Sequence, residues 1–133
     1  MRLVSDDVLG ILTIWTEAQG EGFNGKVAVG EVIRRRTQRR YQSDGTIAGT
    51  VAKRYQFSAL NDDKADNDLF IRSLKISWGD QGVPECERAW IWSATSNLVP
   101  DAVLYCNLDV AQPSWARPDK LVTKIDHHSF FKD

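Results

Sequence analysis

Val8, Leu9, Ile11, Leu12 and Trp15 recur at helical spacing, behind Ser5, Asp6 and Asp7 as cap candidates and ahead of Gly20 as a stop. A second helix is predicted from about Gly25 to Arg40, with Val27, Val29, Val32 and Ile33 inward. Asn24 is its candidate cap, and arginines gather toward its C-terminal end, where cations suit the helix dipole. Asp44 and Thr46 introduce a short helix carrying Ile47 and Val51. Tyr55 to Leu60 reads as an ordered turn or hairpin, and Asn61 to Asp68 as a polar, acidic surface loop. Leu69 to Trp78 forms another helical pattern, with Leu69, Phe70, Leu74 and Trp78 as its buried set. Gly79 to Gly82 breaks the chain, and Pro84 fits the first turn of a helix reaching about Thr95. Ala102 to Cys106 and Ile125 to Phe131 are short extended segments. The pattern is mostly helical with an irregular C-terminal third.

The 133 residues suit one domain, residues 1–133, large enough for a real core. Hydrophobic residues at 42% and charged residues at 26% place the chain among ordinary soluble globular proteins. No apolar run approaches the roughly 20 residues of a membrane span. Met1 to Ser5 leads straight into two aspartates, so no signal peptide is expected. A net charge of -1 argues against nucleic acid as a partner. Cys86 and Cys106 set no disulfide framework and read as buried thiols or a single bridge.

Chemistry enters at Glu17, in the last turn of the first predicted helix. A carboxyl group there lies beside the negative end of the helix dipole, and Trp15 with the apolar face adds to the pressure toward its protonated form. A carboxyl kept neutral near pH 7 is what a general acid needs. The plainer alternative is a solvated glutamate ending a helix.

Other features have two readings each. Arg34, Arg35, Arg36, Arg39 and Arg40 form a basic run that reads as a solvated face rather than a seat for an anionic polymer. Trp15, Trp78, Trp90 and Trp92 lie in helical stretches and read as core, whereas Trp115, in a Gln112 to Ala116 loop, is placed to stack on a sugar ring. Cys86, just after Pro84 at a helix N-terminus, offers a thiol nucleophile with a histidine from the C-terminal strand, the scheme of a cell-wall amidase. Its alternative is a buried thiol. No metal site is expected: His127 and His128 would point to opposite faces of a strand, and the ligand spacings are wrong.

Taken in order, several motifs resemble the SleB-type cell-wall hydrolases, which include spore-cortex-lytic enzymes. They are Glu17-Ala18-Gln19-Gly20-Glu21, then Gly25 to Ile33, then Gln56-Phe57-Ser58-Ala59. The likeness continues through Leu104-Tyr105-Cys106-Asn107, Ser114-Trp115-Ala116 and His128-Ser129-Phe130-Phe131, and so spans nearly the whole chain. Gln19 stands where the family has arginine, Arg35 where it usually has asparagine, and Cys106 where a tyrosine-histidine pair is common.

The resemblance implies an α+β, mainly helical, lysozyme-like fold with a small β-element and a glycan-binding cleft. It also implies cleavage of the β-1,4 bond between N-acetylmuramic acid and N-acetylglucosamine in peptidoglycan, without cofactor or metal. Glu17 is carried over as the catalytic acid. A lytic transglycosylase, ending its products in 1,6-anhydro-N-acetylmuramic acid, needs no second carboxylate; a hydrolytic muramidase needs one, and Glu21 is the nearest. Gln56, Ser58 and Asn107 are expected on the sugar's N-acetyl groups, Tyr105 near the scissile bond and Trp115 along the cleft, with Phe57 packing beneath and His128 structural. With neither leader nor wall-binding domain expected, the reading is a monomeric phage endolysin or virion-associated lysin with no stable membrane association. It would be made in the host cytoplasm and act on the cell wall or periplasm.

Overall fold

The structure is a computed structural model that describes residues 5–53 and 82–133. The predicted turn at 55–60, the loop at 61–68 and the helix at 69–78, with Gln56, Phe57, Ser58 and Trp78, lie outside the described residues.

Helix α1 runs Asp6–Glu17. Ser5 caps it by accepting from the Val8 N–H at 3.3 Å, and Asp6 and Asp7 occupy the positive end of its dipole. The helix stops at Glu17; Gly20, at φ +82°, turns the chain toward α2, Phe23–Arg39. This second helix starts earlier than its apolar pattern suggests, and its cap is Gly22 rather than Asn24. The reason is tertiary. The Gly22 N–H donates to Asp126 Oδ2 at 2.8 Å, so a carboxylate from the far end of the chain sits at the start of the helix. Helix α3, Ile47–Ala52, opens as expected, with Thr46 Oγ1 accepting from the Gly49 N–H. Helix α4, Val83–Ser93, carries Pro84 in its first turn.

These helices pack around Ile14, Val29, Val32, Ile33 and Trp90, all buried. Trp90 shows how closely. A Cβ on Gly10 would sit 2.6 Å from its ring, so only glycine lets α1 approach α4 there. The Arg34 guanidinium lies 3.7 Å from the Trp90 ring centroid, and the indole N–H donates to Asp7 Oδ1 at 2.8 Å. Trp92 departs from expectation. It is 60% exposed, because two residues along a helix is more than half a turn and carries it away from the face that buries Trp90.

The basic run is also not a solvated face. Arg34 donates to Ser93 Oγ and the Trp90 carbonyl, Arg35 to the carbonyls of Val99 and Ala102, and the buried Arg36 to the Val103 carbonyl. Only Arg39 and Arg40 of the five are exposed. The arginines thus donate to backbone oxygens at the α4 end and in the loop that follows it.

The C-terminal third folds into a three-stranded antiparallel sheet in the order β1-β3-β2. Its strands are β1, Leu104–Cys106, β2, Leu121–Ile125, and β3, His128–Phe131. Strand β2 was not expected: it is only half-buried and has no clean alternation. The segment expected to be extended from Ile125 to Phe131 is so from His128 onward, as β3; before it a tight turn intervenes, with Asp126 at φ +53° and Ile125 paired to His128. Phe130 enters the main core, and Phe131 joins Val103 and Leu104 in a second cluster.

Candidate active site

The end of α1 places Glu17, half-buried, at the edge of the core. Two groups share its electrostatic environment. Tyr105 is on β1, with its hydroxyl out of solvent; burial raises this phenol well above its ordinary pKa, the Glu17 carboxylate adds to the rise, and Arg36 opposes it. Arg36 is on α2. Burial lowers its guanidinium below the ordinary value, while Tyr105, Tyr41 and Glu17 pull the other way. A carboxyl on α1, a guanidinium on α2 and a phenol on β1 thus act on one another electrostatically.

Sequence reasoning missed Arg36, though a signal was present. Three consecutive residues on a helix span about 200°, so Arg34, Arg35 and Arg36 cannot all face water while the same helix buries an apolar stripe. One of them has to turn inward.

Glu21 occupies a different environment. Its side chain is 3% exposed. Oε2 accepts from the His127 backbone N–H at 3.2 Å and lies 3.0 Å from His127 Nδ1, while Oε1 lies 3.2 Å from His128 Nδ1. The His128 contact is close enough for an ion pair but is not aligned as a hydrogen bond. The two histidines therefore do not point apart, because His127 belongs to the turn and only His128 to the strand. Burial lowers the His128 pKa, with Glu21 and Asp126 opposing and His127 reinforcing the shift. Together with the Gly22–Asp126 bond, this cluster staples the α1–α2 corner to the β2–β3 turn.

The remaining expected residues are dispersed. Trp115 is half-buried in the second cluster, edge-on to Phe131 with centroids 5.6 Å apart. Asn107 spends its Oδ1 on the Asp109 N–H at 2.9 Å, in a turn of its own. Cys86 and Cys106 are both free thiols, so no bridge links them. Cys86 is buried and its pKa is pushed up to about 11 by that burial, against the lowering expected at a helix N-terminus. Burial and a raised pKa both oppose the thiolate that the amidase scheme needs. Among the described residues, no group of three or more His, Cys, Asp or Glu could hold a metal ion, and no helix is long and apolar enough to cross a membrane.

The sequence profile of the cell wall hydrolase family matches residues 20–131. The chain belongs to that family. Glu17 stands three residues ahead of the matched stretch and Glu21 lies inside it. Two solved structures share the fold. The catalytic domain of the germination-specific lytic transglycosylase SleB from Bacillus anthracis aligns with a TM-score of 0.73 at 24% identity, covering 98% of this chain and 97% of that one. The catalytic domain of the Bacillus cereus SleB protein aligns with a TM-score of 0.67 at 21% identity, covering 98% and 93%. The fold of this cell wall hydrolase is thus the mainly helical, lysozyme-like fold of SleB catalytic domains, with its small antiparallel sheet. No curated protein sequence matches the chain.

Proposed function

We propose that this cell wall hydrolase cleaves the β-1,4 bond between N-acetylmuramic acid and N-acetylglucosamine in peptidoglycan as a lytic transglycosylase, with Glu17 as its acid and then its base. The lytic transglycosylase named among the structures sharing the fold points to this chemistry. The observation that carries it is the contrast between the two carboxylates. Glu17 is half-buried beside Tyr105 and Arg36, whereas Glu21 is 3% exposed at its side chain and faces two histidines. Glu17 keeps partial access to solvent, whereas Glu21 is enclosed at the helix–sheet seam.

A single carboxyl suffices. Glu17 gives its proton to the glycosidic oxygen as the C1–O bond breaks and positive charge builds on the muramoyl ring. The resulting carboxylate takes the proton of the same sugar's C6 hydroxyl, whose oxygen closes onto C1. The acid is restored and the product ends in a 1,6-anhydro ring. The buried Arg36 stabilises the carboxylate form in mid-cycle, and the Tyr105 phenol, which feels the Glu17 charge, stays neutral as a donor.

The test is Glu17→Gln, which keeps the shape and removes the transferable proton. The variant should melt like the parent and lose wall-lytic activity by about 100-fold or more. A folded, active Glu17→Gln overturns the assignment. An endolysin role is checked separately, by adding the protein to membrane-permeabilised cells and following their turbidity.

A further inference from the structure

A second aromatic surface lies between the start of α2 and the end of α4, sharing no residue with the Glu17, Tyr105 and Arg36 cluster. Phe23 and Trp92 meet there with ring centroids 5.4 Å apart and planes at 57°, forming an open V. Their groove has a volume of about 380 Å³, within the roughly 300–1,000 Å³ of small-ligand sites. The buried Val27 and the exposed Leu98 also line it, together with Asn24 and Asn97, both exposed.

The wall carrying Asn97 and Leu98 is built, not loose. Glu31, 2% exposed, accepts from Ser96 Oγ at 2.5 Å and from the backbone N–H groups of Leu98 and Val99 at 2.9 and 3.0 Å. A buried carboxylate with three donors costs stability unless all are kept, so the loop is held in one shape. Facing that wall, the Trp92 indole on α4 is 60% exposed.

The lining chooses the ligand class. Among the described residues, no charged side chain lines the groove, which disfavours phosphates and other ions. Its amides offer hydrogen-bond partners that a purely apolar occupant would leave unused. A ring with an apolar face to stack on indole, and neutral hydroxyl and acetamido groups to meet Asn24, Asn97 and Ser96, satisfies both conditions. We propose that the Phe23–Trp92 groove binds an N-acetylated saccharide, holding a stretch of glycan apart from the one being cleaved. The identity of that glycan as peptidoglycan rests on the proposed function; binding of the sugar does not.

The test titrates the full chain with N,N′,N″-triacetylchitotriose and follows the Trp92 indole and the side-chain amides of Asn24 and Asn97 by NMR. Trp92→Ala identifies its indole signal among the five tryptophans. Saturable shifts at these groups are expected, with the Trp92 shift weakened at least 3-fold in apparent affinity by Asn97→Ala. In the Glu17→Gln background, Trp92→Ala should lower co-sedimentation with sacculi several-fold. In the parent background it should leave turnover of short soluble muropeptide chains unchanged. Both substituted residues are exposed, and matching thermal melts confirm that the variants fold. Absence of shifts at Trp92, or undiminished sacculus binding by Trp92→Ala, overturns the proposal. So does a concentration-dependent dimer that Trp92→Ala abolishes, which would make the groove a self-association surface. Digestion of sacculi by Glu17→Gln would instead refute the catalytic assignment and leave the NMR result standing.

Discussion

The Oε1 of Glu21 lies 3.2 Å from Nδ1 of His128, joining the corner after α1 to the first residue of β3. Both side chains are largely out of water, at 3% and 13% exposure, so the pair spans the interior seam between helices and sheet. Removing the carboxylate leaves the His127 backbone N–H and the His128 ring without it. Glu21→Ala should therefore lower stability by about 2–4 kcal/mol, measured by urea unfolding. Glu21→Gln, assayed well below its melting temperature, should keep substantial wall-lytic activity. A folded but inactive Glu21→Gln would make Glu21 a catalytic partner.

The same seam gives stability a pH dependence. Burial lowers the His128 pKa in the folded chain below its unfolded value of about 6.5. The unfolded chain then takes up the proton first as pH falls, so stability is intact above that value and declines as pH drops through the folded pKa. The melting temperature should fall on acidification below about pH 6.5, with a shallower slope in His128→Gln. Equal slopes in the two proteins would assign the acid loss to other groups.

Gly10 tests the packing of α1 on α4. Alanine is ordinarily the better helix residue by about 1 kcal/mol, but a Cβ here would lie 2.6 Å from the Trp90 ring. The ring is fixed by Asp7 on its edge and Arg34 on its face. Overpacking should win, and Gly10→Ala should destabilise by about 1–3 kcal/mol in thermal or urea melts.

Much of this fold was legible in the sequence where local signals and tertiary demands agreed. Ser5, Thr46 and Pro84 mark helix starts that the structure keeps. The failures share a cause. Gly22 outcompetes Asn24 because a carboxylate 104 residues away caps it, and the arginines turn inward for carbonyls 56 to 67 residues distant. At the site, Glu17 and Tyr105 stand out by motif order. The commitment of Glu21 to histidines at 127 and 128 is a long-range contact that no local spacing announces.

Cys86 should be chemically quiet. With its pKa pushed up to about 11 and its side chain buried, it should resist thiol reagents at pH 8 in the folded chain and react on unfolding. Cys86→Ala should retain activity. Loss of activity in a folded Cys86→Ala would reopen the thiol mechanism.

The central claim is that Glu17 works without a second carboxylate, and product analysis tests it most directly. Purified sacculi digested in heavy-oxygen water should release muropeptides ending in 1,6-anhydro-N-acetylmuramic acid, with no solvent oxygen incorporated, when read by mass spectrometry. Reducing N-acetylmuramic ends carrying the heavy oxygen would contradict the account and make the enzyme a hydrolytic muramidase.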